Sequence, residues 1–228
     1  MISLRNVSLS HGPVAAVSSI DLEVPLGERV ALVGPSGSGK TTLLRLVAGL
    51  EDPDRGRVVL SGRTGKARQD PAPRGVAMVF QRPALWPHLS VRGNVAFGLS
   101  DDRRETGRTR VDDLLERLGL TDLAHRRPHQ LSGGEAQRVA IARALAPASP
   151  ILLLDEPFSD LDAALVQRVV EVVREEVERT GATVLLAAHD LAAAARVCER
   201  VAILRAGTLR FGPGSWKAAA VLSEEPSA

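Results

Sequence analysis

The chain has 228 residues, of which 44% are apolar, 25% are charged and only 3% are aromatic, with no tyrosine. These proportions are those of an ordinary globular protein with a core of Val, Leu, Ala and Ile, which suits a buried parallel sheet covered by helices. The net charge of +2 is too small to indicate nucleic-acid binding. The basic stretch Arg103–Arg110 has no aromatic residues among its charges and is better interpreted as a solvated loop.

A single cysteine, Cys198, excludes an intramolecular disulfide and fits a reducing compartment. The first residues lack the apolar stretch of a signal peptide, and no apolar run approaches the roughly 18 residues that a membrane helix needs. We therefore expect any membrane association to come through a partner protein. We expect a single domain over residues 1–228, with a helical lobe at about 85–145 and a frayed tail at about 218–228.

Strands and helices alternate along most of the chain. Ile2–Val24 reads as short strands separated by turns, and Ile20, Leu22 and Val24 show the two-residue period of a half-buried strand. The pattern then predicts, in order, a strand at Arg29–Val33, a helix at Thr41–Leu50, strands at Arg57–Leu60 and Val76–Phe80, helices at Thr109–Leu118 and Gly134–Ala146, a strand at Ile151–Leu154, a helix at Ala163–Arg179, a strand at Thr183–Ala187, a helix at Leu191–Cys198 and a strand at Arg200–Leu204. This alternation predicts an α/β fold with a mainly parallel sheet.

A glycine-rich loop after the Arg29–Val33 strand matches the phosphate-binding pattern G-x-x-x-x-G-K-[ST] at every fixed position. Its residues are Gly34, Pro35, Ser36, Gly37, Ser38, Gly39, Lys40 and Thr41, and we add the next residue, Thr42, to the nucleotide-binding set. Glycines let successive N–H groups point inward, and the following helix adds its positive N-terminal end. Lys40 can reach the β- and γ-phosphates of ATP, and Thr41 can offer its hydroxyl to Mg²⁺.

The apolar strand Ile151–Leu154 ends in two adjacent carboxylates, Asp155 and Glu156. In a parallel sheet, ligands bind beyond the carboxyl ends of the strands. Asp155 would hold Mg²⁺, directly or through water. Glu156 points differently because side chains alternate along a strand, and it could polarise an attacking water. Strands often end in acidic residues, so this interpretation depends on the pairing with the phosphate loop.

A third element, Leu131-Ser132-Gly133-Gly134-Glu135-Ala136-Gln137-Arg138, is a Ser-Gly-Gly turn that opens a helix and is therefore another anion site. Here the chain resembles the ATP-binding cassette (ABC) family, whose signature motif begins Leu-Ser-Gly-Gly. The resemblance covers roughly residues 2–212. It implies a P-loop NTPase core with a mainly parallel sheet, an N-terminal antiparallel β subdomain and a helical lobe that carries the signature motif.

The same resemblance assigns roles to residues outside the phosphate loop. Gln81 matches the family's Q-loop glutamine, Ser159–Asp162 matches its D-loop and His189 matches its switch histidine. Catalysis is thereby assigned to Glu156, His189, Lys40 and Gln81, and Mg²⁺ binding to Thr41, Gln81 and Asp155. His11 stands where the family commonly has a tyrosine that stacks on adenine. Whether this imidazole stacks or is merely solvated stays open.

For function, the resemblance implies an ATPase that works as a head-to-tail pair, here as a homodimer. ATP and Mg²⁺ would bind between the phosphate loop of one subunit and Ser132, Gly133 and Gly134 of the other. Closure of the pair would drive transmembrane permease subunits, with the chain bound peripherally at the cytoplasmic face of the cell membrane. No nucleic-acid partner is expected.

The direction of transport is indicated by one stretch only. Leu85–Leu99 is similar to the corresponding stretch of bacterial importer ATPases, which favours import and makes a solute-binding protein an indirect partner. Trp86 in this stretch is interpreted as a contact for a membrane subunit, with a core position as the alternative. An exporter ATPase and a non-transport cassette protein remain competing interpretations. A small-molecule kinase would leave the Ser-Gly-Gly motif and His189 unexplained.

Overall fold

A computed structural model describes residues 1–60, 75–99 and 104–218 of the chain, without the side chains of residues 104–106. Its strands are β1 (Ile2–His11), β2 (Val14–Val24), β3 (Arg29–Val33), β4 (Arg55–Leu60), β5 (Val76–Val79), β6 (Ile151–Asp155), β7 (Thr183–Ala188), β8 (Arg200–Arg205) and β9 (Thr208–Ser215). Its helices are α1 (Lys40–Ala48), α2 (Val91–Ala96), α3 (Arg104–Arg117), α4 (Gly133–Leu145), α5 (Ala163–Thr180) and α6 (Leu191–Val197).

The strands form two sheets. An antiparallel sheet has the order β2-β1-β4, and a six-stranded sheet has the order β5-β6-β7-β3-β8-β9. All neighbours in the larger sheet are parallel except β8 and β9, which are antiparallel. The predicted α/β class, with a mainly parallel core sheet and an antiparallel N-terminal subdomain, is confirmed.

Both faces of the larger sheet are covered. Strand β6 sends Leu152 and Leu154 into a cluster formed with α2–α6, and Ile151 and Leu153 into a second cluster formed with α1 and the antiparallel sheet. This explains why the strand is apolar without a break until Asp155. Because β6, β7 and β3 are adjacent and parallel, the loops that follow them meet at the same edge of the sheet.

Some predicted elements differ from the observed ones. The region Ile2–Val24 contains two long strands of 10 and 11 residues rather than several short ones. Helix α1 ends before Leu50 because Gly49 adopts a left-handed conformation with φ 74° and caps it. Strand β9 was not predicted, since Gly212, Pro213 and Gly214 interrupt its apolar pattern; an edge strand tolerates such residues.

The interpretation of Arg103–Arg110 as a loop is wrong from residue 104 onward, where α3 begins. Arg110 on this helix pairs with the buried Glu176 of α5 instead of facing solvent. Helices α2, α3 and α4 occupy the region assigned to a helical lobe, and its status as a separate lobe stays a prediction. The predicted frayed tail lies, after Ala218, outside the described residues. Within the described ranges, no helix is long and apolar enough to cross a membrane.

Candidate functional site

The phosphate loop connects β3 to α1 and is packed too closely for side chains at two of its glycines. A Cβ at Gly34 would lie 2.0 Å from the carbonyl oxygen of Leu204, and one at Gly39 would lie 2.5 Å from that of Ala16. Gly39 also has φ 102°, a conformation that other residues rarely adopt. The glycines of the motif therefore follow from the backbone path of the loop.

Lys40 begins α1, and its side chain folds back over the loop. The residue is only 6% exposed, and its Nζ donates to the carbonyl oxygens of Gly34 at 2.8 Å and Pro35 at 3.1 Å. An ammonium group has three donors, so one remains for a ligand at the mouth of the loop. The hydroxyl of Ser38, in the same loop, is buried and has no hydrogen-bond partner within the described residues.

Thr41 and Asp155 bring two hard oxygen donors together across the sheet edge. The Thr41 hydroxyl donates to Asp155 Oδ1 at 3.1 Å. Burial raises the pKa of Asp155, the hydrogen bond from Thr41 opposes this, and the nearby charge of Glu156 raises the pKa further. A hydroxyl and a carboxylate beside a phosphate loop are oxygen ligands of the kind that Mg²⁺ takes, so the donor set fits this ion.

Glu156 lies where the ends of three neighbouring strands meet. Its carboxylate Oε2 is 3.5 Å from Gln81 Nε2, which follows β5, and 3.3 Å from His189 Nδ1, which follows β7. Its backbone has φ 46°, which is uncommon for a residue with a side chain and typical of constrained functional sites. The backbone N–H of Glu156 donates to the carbonyl oxygen of Ala187, and the Ser159 hydroxyl donates to its carbonyl oxygen.

The Ser132–Gly134 turn starts α4 at a different place in the chain. Ser132 is the N-cap: its hydroxyl accepts from the Glu135 N–H at 3.3 Å, and its own N–H donates to the Glu135 carboxylate at 2.7 Å. These bonds to Ser132 lower the pKa of Glu135. Ser132 and Gly133 are exposed, and a Cβ at Gly133 would have no atom within 4 Å. Gly134 instead backs onto the D-loop, with the Asp160 carbonyl oxygen 3.0 Å from its Cβ position.

His11 ends β1 and is exposed. Its Nε2 lies 3.2 Å from a carboxylate oxygen of Glu51, and the other oxygen of Glu51 accepts from Arg45 of α1 at 3.2 Å. The imidazole is thus held beside the helix that the phosphate loop opens. Thr42 lies half-buried on the same helix.

Comparison with known proteins agrees with this arrangement. Residues 17–159, more than half of the chain, match the ABC transporter family. The chain belongs to the ABC transporter family. A solved structure of the ATP-binding cassette MJ0796, dimeric and bound to ADP and Pi in a post-hydrolysis state, superposes with a TM-score of 0.82 at 32% identity, over 94% of this chain and 98% of that one.

Curated members of the ABC transporter family are similar over nearly the whole chain. The Fe(3+) ions import ATP-binding protein FbpC of Mesorhizobium japonicum is 45% identical over 90% of this chain. The sulfate/thiosulfate import ATP-binding protein CysA of Synechococcus elongatus is 46% identical, also over 90% of this chain. The chain spans 58% and 60% of the lengths of these two relatives.

Within this ABC cassette, the structure brings the predicted site residues into two groups and leaves two features apart. Lys40, Thr41 and Asp155 form one group, and Gln81, Glu156 and His189 form the other. Gln81 contacts Glu156, and its predicted role as a metal ligand stays a prediction. His11 and the Ser132–Gly134 turn lie apart from both groups, and their assigned roles also stay predictions.

A cavity that could not be predicted from the sequence adjoins Glu156 and His189. It has a volume of about 560 Å³, and its polar lining includes Ser159, Gln167 and Arg196. Nothing in the local sequence marks Gln167 and Arg196, because they come from α5 and α6 and meet only in the folded chain. The sequence likewise contains no sign that Gln137, within the signature segment Leu131–Arg138, is buried.

Proposed function

We propose that this chain binds Mg·ATP and hydrolyses it as one of two identical cassettes, and that it thereby powers solute import through transmembrane permease subunits. In this proposal it sits peripherally at the cytoplasmic face of the membrane, and a solute-binding protein delivers the solute to the permease. The observation that carries the proposal is the meeting of Gln81, His189 and Glu156 at the sheet edge that also holds Lys40 and Asp155.

Nucleotide binding rests on the phosphate loop. The N–H groups of the loop and of the first turn of α1 would face the phosphates, and the remaining Lys40 donor would contact a β- or γ-oxygen. Thr41 and Asp155, already 3.1 Å apart, would hold Mg²⁺. When bound, Mg²⁺ supplies positive charge that offsets the charge developing on the transferred phosphoryl group.

Hydrolysis rests on Glu156. Its carboxylate would accept the proton of the attacking water while His189 and Gln81 hold it in place from either side. All three follow or end adjacent parallel strands, which brings them together at one edge of the sheet. This is positioning and charge stabilisation, which account for most of phosphoryl-transfer catalysis.

Pairing of two chains rests on the Ser132–Gly134 turn. The turn is exposed and opens a 13-residue helix, so it can present N–H groups and the Ser132 hydroxyl to an anion. In the proposed head-to-tail pair, that anion is the γ-phosphate bound by the other chain. The dimeric state described for the similar cassette MJ0796 supports this arrangement.

Import is supported by the similar relatives, both of which are described as import ATP-binding proteins. The Leu85–Leu99 stretch also carries an exposed aromatic patch, in which Trp86 is 42% exposed and packs against Phe97 with ring centroids 5.0 Å apart. The buried Asn94 holds the patch by bonding to the Trp86 backbone at both its N–H and its carbonyl oxygen. A fixed and exposed aromatic surface of this kind suits a permease contact.

The variant Glu156→Gln tests the proposal, because it keeps the shape of the side chain and removes the base. General-base assistance is typically worth about 10²–10⁴-fold in rate, so we expect turnover to fall within that range. ATP binding should persist, since Lys40, Thr41 and Asp155 are unchanged. Uncleaved Mg·ATP should then hold two chains together, and size-exclusion chromatography with light scattering should show a dimer with Mg·ATP and a monomer without it.

The matched control adds Ser132→Arg to Glu156→Gln, which places a bulky side chain at the γ-phosphate contact and should abolish the dimer. A Glu156→Gln protein that binds ATP but stays monomeric would contradict the pairing. Normal turnover in that variant would remove Glu156 from the role of base.

A further inference from the structure

The signature helix α4 contains a buried polar side chain that core packing does not explain. Gln137 is 0% exposed, and its Nε2 donates to the carbonyl oxygen of Pro157 at 3.3 Å. Its Oε1 is buried and has no hydrogen-bond partner within the described residues. An unsatisfied buried polar atom destabilises the fold, whereas an apolar side chain of similar shape at this position would avoid that cost.

The hydrogen bond from the Gln137 side chain ends on the residue next to Glu156. Pro157 directly follows Glu156, and Gln137 lies little more than one helical turn beyond the Ser132 N-cap. A second contact runs in parallel: the Cβ position of Gly134 is 3.0 Å from the Asp160 carbonyl oxygen and 3.5 Å from the Leu161 side chain. The start of α4 therefore rests on the chain segment that leaves Glu156.

The backbone between Glu156 and Ser159 is constrained, so a movement of Pro157 also moves Glu156. The Ser159 N–H and hydroxyl both donate to the Glu156 carbonyl oxygen, and Glu156 itself has φ 46°. Pro157 adds a fixed φ of its own. With both neighbouring dihedrals restricted, rotation of the Pro157 peptide changes the direction of the Glu156 carboxylate relative to Gln81 and His189.

We infer that Gln137 is a positioning residue, which ties the Ser132–Gly134 turn to the backbone that carries Glu156. This inference rests on the proposed function. In the proposed pair, the turn of a chain contacts the nucleotide bound by its partner, whereas Glu156 of the same chain acts on the nucleotide of its own phosphate loop. The Gln137–Pro157 bond therefore makes the position of Glu156 depend on the position of the turn in the same chain. The bond from the amide donor to Pro157 accounts for a buried glutamine at this position despite its unsatisfied oxygen.

The test uses Gln137→Met, which keeps the length of the side chain and removes the donor. Steady-state hydrolysis should show kcat lower by about tenfold and KM for ATP changed by less than about twofold, because a displaced Glu156 affects the chemical step and not nucleotide binding. The control is Arg168→Met on α5, which loses bonds to the carbonyl oxygens of Glu116 and Arg117 instead. Its kcat should stay within about twofold of the parent value.

A double-mutant cycle separates positioning from general damage. In the Glu156→Gln background, Gln137→Met should lower the residual turnover by less than about twofold, because the carboxylate it positions is already gone. A full loss in both backgrounds, or no loss in the parent, would overturn the inference. Normal turnover in Glu156→Gln alone would overturn the proposed role of Glu156 and this inference together, whereas a slow Glu156→Gln with a normal Gln137→Met overturns this inference only.

Thermal unfolding checks that the fold is retained. Gln137→Met removes the unsatisfied oxygen but also takes the donor from the Pro157 carbonyl oxygen, so the two effects oppose each other and the melting temperature should stay close to that of the parent. If that variant fails to fold, Gln137→Leu replaces it in the same cycle. Loss of fold in both would give Gln137 a structural role and overturn the inference.

Discussion

The phosphate loop and the Ser132–Gly134 turn both open a helix, yet they differ in how far contacts within this chain surround them. In the loop, Lys40 is nearly buried and bonded to two carbonyl oxygens, and Thr41 is bonded to Asp155. In the turn, Ser132 and Gly133 are exposed, and the Cβ position of Gly133 has no atom within 4 Å. In the proposed function, the loop is a preformed binding site, whereas the turn is a surface that fits a ligand held by another chain.

The largest expected effect separates these two regions by mutation. Lys40→Ala removes a charge-assisted contact worth roughly 1.5–3 kcal/mol, so ATP affinity of the single chain should fall by about 10–150-fold. Ser132→Arg should leave that affinity nearly unchanged, because in the proposed pair the turn contacts the nucleotide of the partner. Titration with a fluorescent ATP analogue at a concentration where the protein is monomeric measures both variants. Equal losses would show that one chain uses both regions for the same nucleotide.

The second prediction concerns the buried carboxylate that joins α5 to α3. Glu176 of α5 is buried and receives hydrogen bonds from Arg110 and Arg117 of α3 and from Arg179. Burial would raise the pKa of Glu176, but the bonds from Arg110, Arg179 and Arg117 outweigh it and lower the pKa to about 2. The pKa is lower in the folded state, so ionised Glu176 stabilises the fold above its ordinary pKa of 4.5. This contribution is lost as pH falls from 4.5 toward 2.

Glu176→Gln should therefore lower the free energy of unfolding at pH 7 by about 3 kcal/mol, and its difference from the parent should shrink as pH falls toward 2. Urea unfolding at several pH values measures both effects. The control is Glu175→Gln, since Glu175 is 53% exposed and also bonds Arg117; its loss should be at most about 1 kcal/mol. A pH-independent difference for Glu176→Gln would contradict the lowered pKa.

The strand, loop and helix around the phosphate loop could be predicted from the sequence because the residues that determine them are neighbours in the chain. The loop needs glycines for its backbone path and a lysine at the start of a helix, and these requirements fall within one short segment. Asp155 and Glu156 were equally easy to recognise in the sequence, since they follow a fully apolar strand segment. The alternation of strands and helices likewise predicted the mainly parallel core sheet, although not the order of its strands.

Contacts between distant segments were beyond sequence reasoning. Glu176 lies 66 residues from Arg110 and 59 from Arg117, and no local pattern pairs them. The arginines at the start of α3 were predicted to be solvated because the buried carboxylate that Arg110 contacts belongs to another helix. Gln137 was part of a recognised motif, but only the fold shows that its donor reaches Pro157. Strand β9 was missed because Gly-Pro-Gly is a turn signal outside the context of a sheet edge.

The smallest expected effect concerns His11, which lies beside the phosphate-loop helix and extends the comparison to the base of the nucleotide. Its ring is exposed and held by Glu51, which Arg45 of α1 also contacts, so the imidazole is oriented and its face is accessible. Stacking of a base on an aromatic ring is worth about 1–3 kcal/mol in single-stranded nucleic-acid sites, and a small imidazole should give the low end. His11→Ala should therefore weaken ATP binding by about fivefold at the single chain, while His11→Tyr should preserve or tighten it.

The control Val14→Ala changes the exposed residue paired with His11 across the hairpin and should have no effect. Fluorescence titration of the four proteins with ATP, and with GTP for base selectivity, decides between the two interpretations of His11. Equal affinities in all of them would mean that the imidazole is only solvated and that the phosphate loop alone accounts for binding by the single chain.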